Sequence, residues 1–227
     1  MTRNVIQTVL AALIILTCST QGFAGPPLIC HPFQIDGAES IPWGERPFDP
    51  PEDISRDMLV ETVLTQLNPD TPVLVRMETL RRATIWCGRG DSREGQALLM
   101  QLMGRALDAQ AAGKEDAMAW FDAGFLAQSM DQNAVEFAQG VGIDRGVVGY
   151  AWIRRAIELR PNDPQIHFAA ALTTAIHFPG ASGMHMKIVT MSVADDALLA
   201  ANIEAFKSEL GENLDHHRHN YEVSHGN

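Results

Sequence analysis

Apolar residues recur at three- and four-residue intervals over most of this chain, and the clearest stretch lies between Gly149 and His167. There Tyr150, Ile153, Ile157 and Leu159 fall at helical spacing, with Arg154, Arg155 and Glu158 on the other side. Pro161 stops that helix, Asn162-Asp163 offers a capping side chain, and Pro164 suits a first helical position, where a missing N–H costs nothing. The same reading predicts helices over 52–67, 72–86, 92–112, 115–130, 145–160, 163–177 and 193–210. Thr71 is the expected N-cap of the second, and Gly113 the expected terminator of the third. Breaks are expected at Asn68–Pro72, at Gly88 and Gly90, around Gly140, Gly142 and Gly146, and from Pro179 to Gly183. Ile188 to Met191 is the one β-like run, too short to build a sheet. The fold class is therefore all-α, with short connections that make consecutive helices antiparallel neighbours.

Gly149, Ile153, Ala156 and Pro161 carry a more specific spacing, and upstream stands Ala119-Trp120-Phe121-Asp122-Ala123-Gly124. Together these segments resemble a tetratricopeptide (TPR) repeat, in which small residues let two helices approach closely and a proline closes the pair. The match departs from the standard 34-residue length by about 13 residues, looped out between 131 and 145. The resemblance implies a short TPR-like α-solenoid over 52–210 with a concave groove that grips a peptide or helix of another protein. Its lining would be Met118, Phe121, Phe125, Gln128, Ser129, Gln165, Phe168, Leu172 and Ile176. The competing expectation is that these residues pack against the N-terminal arm, so that the groove is filled from within.

That arm spans residues 25–51. Seven prolines exclude a long helix there, yet Leu28, Ile29, Phe33, Ile35, Ile41, Trp43 and Phe48 are too apolar for a solvated linker. An ordered segment lying across the helices is expected. The run PPLICHPFQIDGAESIPWG resembles the opening of uncharacterised bacterial secreted proteins, a likeness that implies no activity. Ahead of it, residues 1–24 read as a secretory signal peptide: Arg3, the apolar run Val9 to Leu16, and small residues at Gly22 and Ala24. The apolar run is short of the ~20 residues a membrane-spanning helix needs. A periplasmic or secreted location follows as the expectation. In an oxidising compartment Cys30 and Cys87 are expected to form a disulfide contributing ~4 kcal/mol, the alternatives being two thiols or a catalytic one.

Charge narrows the partners. The formal net charge is −11, and the only lysines are Lys114, Lys187 and Lys207. Nucleic acid and anionic membrane surfaces need a basic patch that this chain lacks, so the partner expected is another protein or a peptide. No nucleophile elbow, zincin pair or phosphate-binding loop is present, and no enzyme activity or obligatory cofactor is expected. The alternative function is metal binding. His216, His217, His219 and His225 crowd the 211–227 tail, and Met184-His185-Met186 with Met191 offers soft ligands, a set suited to copper or zinc. The tail otherwise reads as a disordered terminus. His167 and His177 lie roughly 80° apart around one helix and are expected to act separately.

Overall fold

The computed structural model describes residues 27–45, 49, 51, 58–88, 90–133, 135–136 and 145–206. Helices α1 (Pro27–Cys30), α2 (Leu59–Gln66), α3 (Val73–Cys87), α4 (Arg93–Ala111), α5 (Ala117–Gln132), α6 (Arg145–Leu159), α7 (Pro164–Thr174) and α8 (Pro179–Ser192) follow in chain order. A 3₁₀ turn (Val193–Asp195) leads into α9, over 197–206. Two two-residue strands, β1 (Gly90–Asp91) and β2 (Val135–Glu136), pair in parallel, Gly90 opposite Val135 and Asp91 opposite Glu136. The periodicity anticipated no strand, because two residues are too few to show one. Among the described residues no helix is long and apolar enough to cross a membrane.

Helix starts follow local chemistry. The Ser92 hydroxyl accepts from the Gly95 N–H at the head of α4, and the Asp116 carboxylate accepts from the Met118 N–H at the head of α5. Asp163 accepts from the Gln165 and Ile166 N–H groups, with Pro164 opening α7 as expected. Gly113, at φ 67°, ends α4 in a conformation that a side chain would strain. Two expectations fail. Thr71 does not cap α3: Pro72 is the N-cap, and the Thr71 hydroxyl instead donates to the Gln66 carbonyl at 2.6 Å, tightening the preceding turn. The Pro179–Gly183 stretch is not a break but the first turn of α8, which also absorbs the β-like run Ile188–Met191. A proline at the first position starts a helix as readily as one beyond the last position stops it, and the Ser182 hydroxyl anchors this turn by donating to the Ala171 carbonyl.

Backbones approach closely between α5 and α6, where Gly124 faces Gly149. A Cβ on Gly124 would stand 2.7 Å from the Gly149 oxygen, and one on Gly149 would stand 2.9 Å from the Gly124 oxygen. Here the backbones touch because neither residue has a side chain. Phe121 and Phe125 on α5, Ile153 and Ala156 on α6 and Phe168 on α7 are fully buried beside this contact.

Residues 27–45 complete the core. Phe33 inserts among Phe125, Phe168 and Phe206, its ring centroid 6.1, 6.5 and 5.1 Å from theirs. The arm's backbone is secured by side chains of the helices. Glu78 accepts from the Phe33 N–H, Arg81 donates to the Ile29 carbonyl and Arg82 to the Ile41 carbonyl. Asn202 both accepts from the Gln34 N–H and donates to the Gln34 carbonyl. The disulfide expected to pin this segment does not form. Cys30 ends α1 exposed, whereas Cys87 ends α3 buried, its sulfur turned toward the start of α4 near Gly95. Hydrogen bonds from α3 and α9 hold the arm in its place.

Two substitutions test these supports by urea denaturation. Gly149→Ala forces α5 and α6 apart and is expected to destabilise by about 1–3 kcal/mol. Glu78→Ala leaves Arg81 without its carboxylate in the interior and is expected to cost about 3–5 kcal/mol.

Candidate functional site

The residues expected to line a groove lie mostly inside the protein. Met118, Phe121, Phe125, Gln128, Ser129, Phe168 and Leu172 are buried, while Gln165 and Ile176 are partly exposed. Phe33 of the arm sits on Phe125 and Phe168, so those rings face the chain's own N-terminal segment. Sequence periodicity marks a face as apolar; it does not say what covers it. Met118 and Gln165 of this set line an open cleft at one end of the helices.

At that end is a cleft of ≈ 700 Å³. Its walls are the turn before α3 (Pro69, Asp70, Thr71, Pro72), the turn between α6 and α7 (Arg160, Pro161, Asn162, Asp163), the start of α7, Met118 and Asp196. Four prolines stiffen these turns. Gln165 joins three helix starts: its side-chain oxygen accepts from the Leu74 N–H of α3, and its amide nitrogen donates to Asp196, which caps α9 through the Leu199 N–H. Arg76 ties the first turn to α5, donating from Nε to the Thr71 carbonyl, from one terminal nitrogen to the Asn68 carbonyl, and from the other to Asp122 Oδ2 at 2.6 Å. Burial pushes the Asp122 carboxyl up to about 7 against the pull of Arg76. Its Oδ1 has no hydrogen-bond partner among the described residues. The charges on the cleft wall are Asp70, Asp163 and Asp196 against Arg160.

Behind the Pro161 turn runs a chain of hydrogen bonds that the sequence did not reveal. His167 Nε2 is 3.0 Å from the Pro161 carbonyl oxygen, His167 Nδ1 is 2.9 Å from His185 Nδ1, and His185 Nε2 is 3.0 Å from the Tyr150 hydroxyl. A carbonyl only accepts, so with both rings uncharged one arrangement satisfies every link. His167 donates from Nε2 to Pro161, His185 donates from Nδ1 to His167, and Tyr150 donates to His185 Nε2. Burial, aided by the neighbouring His167, lowers His185 to about 4, and burial raises Tyr150, which keeps its proton. His177, expected to act apart from His167, is exposed and 3.8 Å from Asp131.

Of the copper- or zinc-binding set, the described residues include Met184, His185, Met186 and Met191. Met184 and Met191 are exposed, and among the described residues no three His, Cys, Asp or Glu side chains converge on a point. His216, His217, His219 and His225 lie outside the described residues, as do residues 1–24. No family model matches the chain, and no curated protein or solved structure matches it at a significant level.

The two shifted groups drive stability in opposite directions with pH. Between pH 4 and 6.5 the unfolded chain takes up a proton at His185 that the folded chain refuses, so this group makes stability fall as pH falls. Between pH 3.8 and 7 the folded chain keeps a proton on Asp122 that the unfolded chain releases, so this group makes stability fall as pH rises. Denaturation midpoints measured from pH 4 to 8 are expected to climb with pH in Asp122→Asn and to decline with pH in His185→Asn, up to about pH 7. Equal slopes in the two variants would contradict both assignments.

Proposed function

We propose that this chain is an extracytoplasmic, TPR-like interaction module, without catalytic activity of its own, that holds an extended basic segment of a partner protein in the cleft between the Pro69–Pro72 and Arg160–Gln165 turns. The cleft itself carries this reading: it is an open cavity of ≈ 700 Å³ between proline-stiffened turns, with three carboxylates on its wall and one guanidinium. The net charge of −11 adds long-range attraction for a cationic segment and repels an acidic one. Pro69, Pro72, Val73, Met118, Pro161 and Pro164 supply apolar contact between the charges. The Gly124–Gly149 approach supports the repeat-like part of the proposal, since close helix pairing is what that resemblance requires.

The location of the binding surface differs from the one the resemblance implies. An inner groove would take its partner on Phe125 and Phe168, but Phe33 already occupies them. A partner docking there would first have to expel the arm, breaking the bonds from Glu78, Arg81, Arg82 and Asn202. The end cleft needs no such rearrangement.

Asp70 is the carboxylate to change, because it is exposed, whereas Asp163 and Asp196 also cap helices. Fluorescence anisotropy with extended peptides rich in Lys and Arg, and with sequence-matched acidic versions, tests the reading. The basic peptides are expected to bind, to weaken with added salt, and to lose about tenfold in affinity with Asp70→Lys, equivalent to about 1.4 kcal/mol. Equal binding of acidic and basic peptides, or indifference to Asp70→Lys, would overturn it.

A further inference from the structure

We infer, resting on the cleft reading above, that Asp122 makes the end cleft a proton-coupled site: a basic segment entering it drives Asp122 to release a proton, so that the cleft grips such a segment more tightly as pH rises. Among the described residues the buried acids are Glu78 and Asp122, at 0% and 3% exposure. Glu78 receives four donors, two from Arg81, one from Arg82 and the Phe33 N–H. Asp122 receives one, from Arg76 to Oδ2 at 2.6 Å, and its Oδ1 meets no donor among the described residues. A carboxylate oxygen stripped of water and left without a donor is unfavourable as an anion and much less so as an O–H. A proton on Oδ1 therefore competes with the attraction of Arg76 for the anion.

Position makes this balance matter to the cleft. Arg76 is buried behind the turn that forms one wall. Its Nε and one terminal nitrogen hold the carbonyls of Thr71 and Asn68, which carry no charge, so Asp122 is the carboxylate that neutralises it. Thr71 lines the cleft, as does Met118, one helical turn from Asp122 on α5. With Asp122 ionised, the pair adds no net charge to a wall bearing Asp70, Asp163 and Asp196 against Arg160. With Asp122 protonated, the guanidinium stands uncancelled behind that wall, in an interior that screens it poorly. A cationic segment is attracted in the first state and partly repelled in the second. It binds the ionised state better, and by linkage its arrival breaks the Oδ1–H bond and sends the proton to water.

The charges around Asp122 set the pH at which the exchange happens. Arg105 on α4 favours the anion, as Arg76 on α3 does, and Asp116 at the head of α5 opposes it. Burial outweighs both arginines and brings the carboxyl up to about 7, so both states are populated at neutral pH. Below that value the proton is on and the affinity for a cation is low; above it the proton is off and the affinity is high. Arg105 is exposed, so its replacement moves the midpoint without opening the interior.

The test joins two measurements on the full chain. Carboxyl ¹³C NMR of aspartate-labelled protein is expected to show a resonance that titrates at about pH 7 and is absent from Asp122→Asn. Its midpoint is expected to rise in Arg105→Gln and to fall when a histidine-free, N-acetylated peptide rich in Lys and Arg is added. Fluorescence anisotropy with the same peptide is expected to give binding about fivefold tighter at pH 8 than at pH 6. The histidines titrate in the same range, and Asp122→Asn retains their contribution, so a flatter profile in that variant isolates the part due to Asp122. Near-ultraviolet circular dichroism establishes that each variant is folded. If Asp122→Asn unfolds, Arg105→Gln decides the question, because it is expected to carry both the resonance and the affinity profile to higher pH. An affinity slope unchanged in Asp122→Asn, or a midpoint that the peptide leaves in place, would overturn the coupling and leave the cleft reading intact. Absence of binding at both pH values would overturn the cleft reading and the coupling with it.

Discussion

A carboxylate with no access to water must be surrounded by donors, and Glu78 imposes that requirement on the middle of this protein. It is fully buried on α3. Arg81 meets it with two nitrogens, at 2.7 and 2.9 Å, and Arg82 with one at 2.7 Å. The fourth donor is the Phe33 N–H, which belongs to the arm. The guanidinium groups are used in turn by the arm's carbonyls at Ile29 and Ile41, and Trp43 lies under both, 5.6 Å from Arg81 and 5.2 Å from Arg82. One buried charge thus forces α3 and the N-terminal segment to satisfy each other. With the arm fixed on either side, Phe33 has only one place to go, between Phe125, Phe168 and Phe206.

The consequence for function is an exchange of surfaces. Apolar residues of α5 and α7 that would form an interior groove are committed to Phe33, and the structure keeps its open cavity where the turns meet. Turn residues are suited to that task because the backbone there is polar and the helices behind it are rigid. Gln165 makes the rigidity explicit, since one amide side chain satisfies the first turn of α3 and holds the cap of α9. Arg76 does the same for the turn at Asn68–Thr71 from within, and its partner Asp122 sits one helical turn along α5 from Met118, on the cleft wall.

Most of the helices were legible in the sequence because their ends are marked by residues with a single purpose. Ser92, Asp163 and Pro164 act where local chemistry places them, and Gly113 ends α4 in a left-handed conformation that glycine tolerates better than other residues. Long-range choices were less legible. Pro179 could stop a helix or start one, and what selects the second is a hydrogen bond from Ser182 to Ala171 on another helix. Cys30 and Cys87 looked like partners by elimination, yet the arm's register, set by Glu78 and the two arginines, leaves Cys30 outside and Cys87 inside. Of the groove residues, Phe125 and Phe168 share the face that Phe33 covers. Their cover is the same chain, which periodicity is unable to express.

His167 and His185 show the same limit from the other side. They are 18 positions apart on different helices, and no spacing rule connects them. What joins them is the packing of α8 on α7, and the α6–α7 turn adds the Pro161 carbonyl, which accepts from His167, while residues of the same turn line the cleft. The turn that limits α6 thus links the buried imidazoles to the wall of the open cleft.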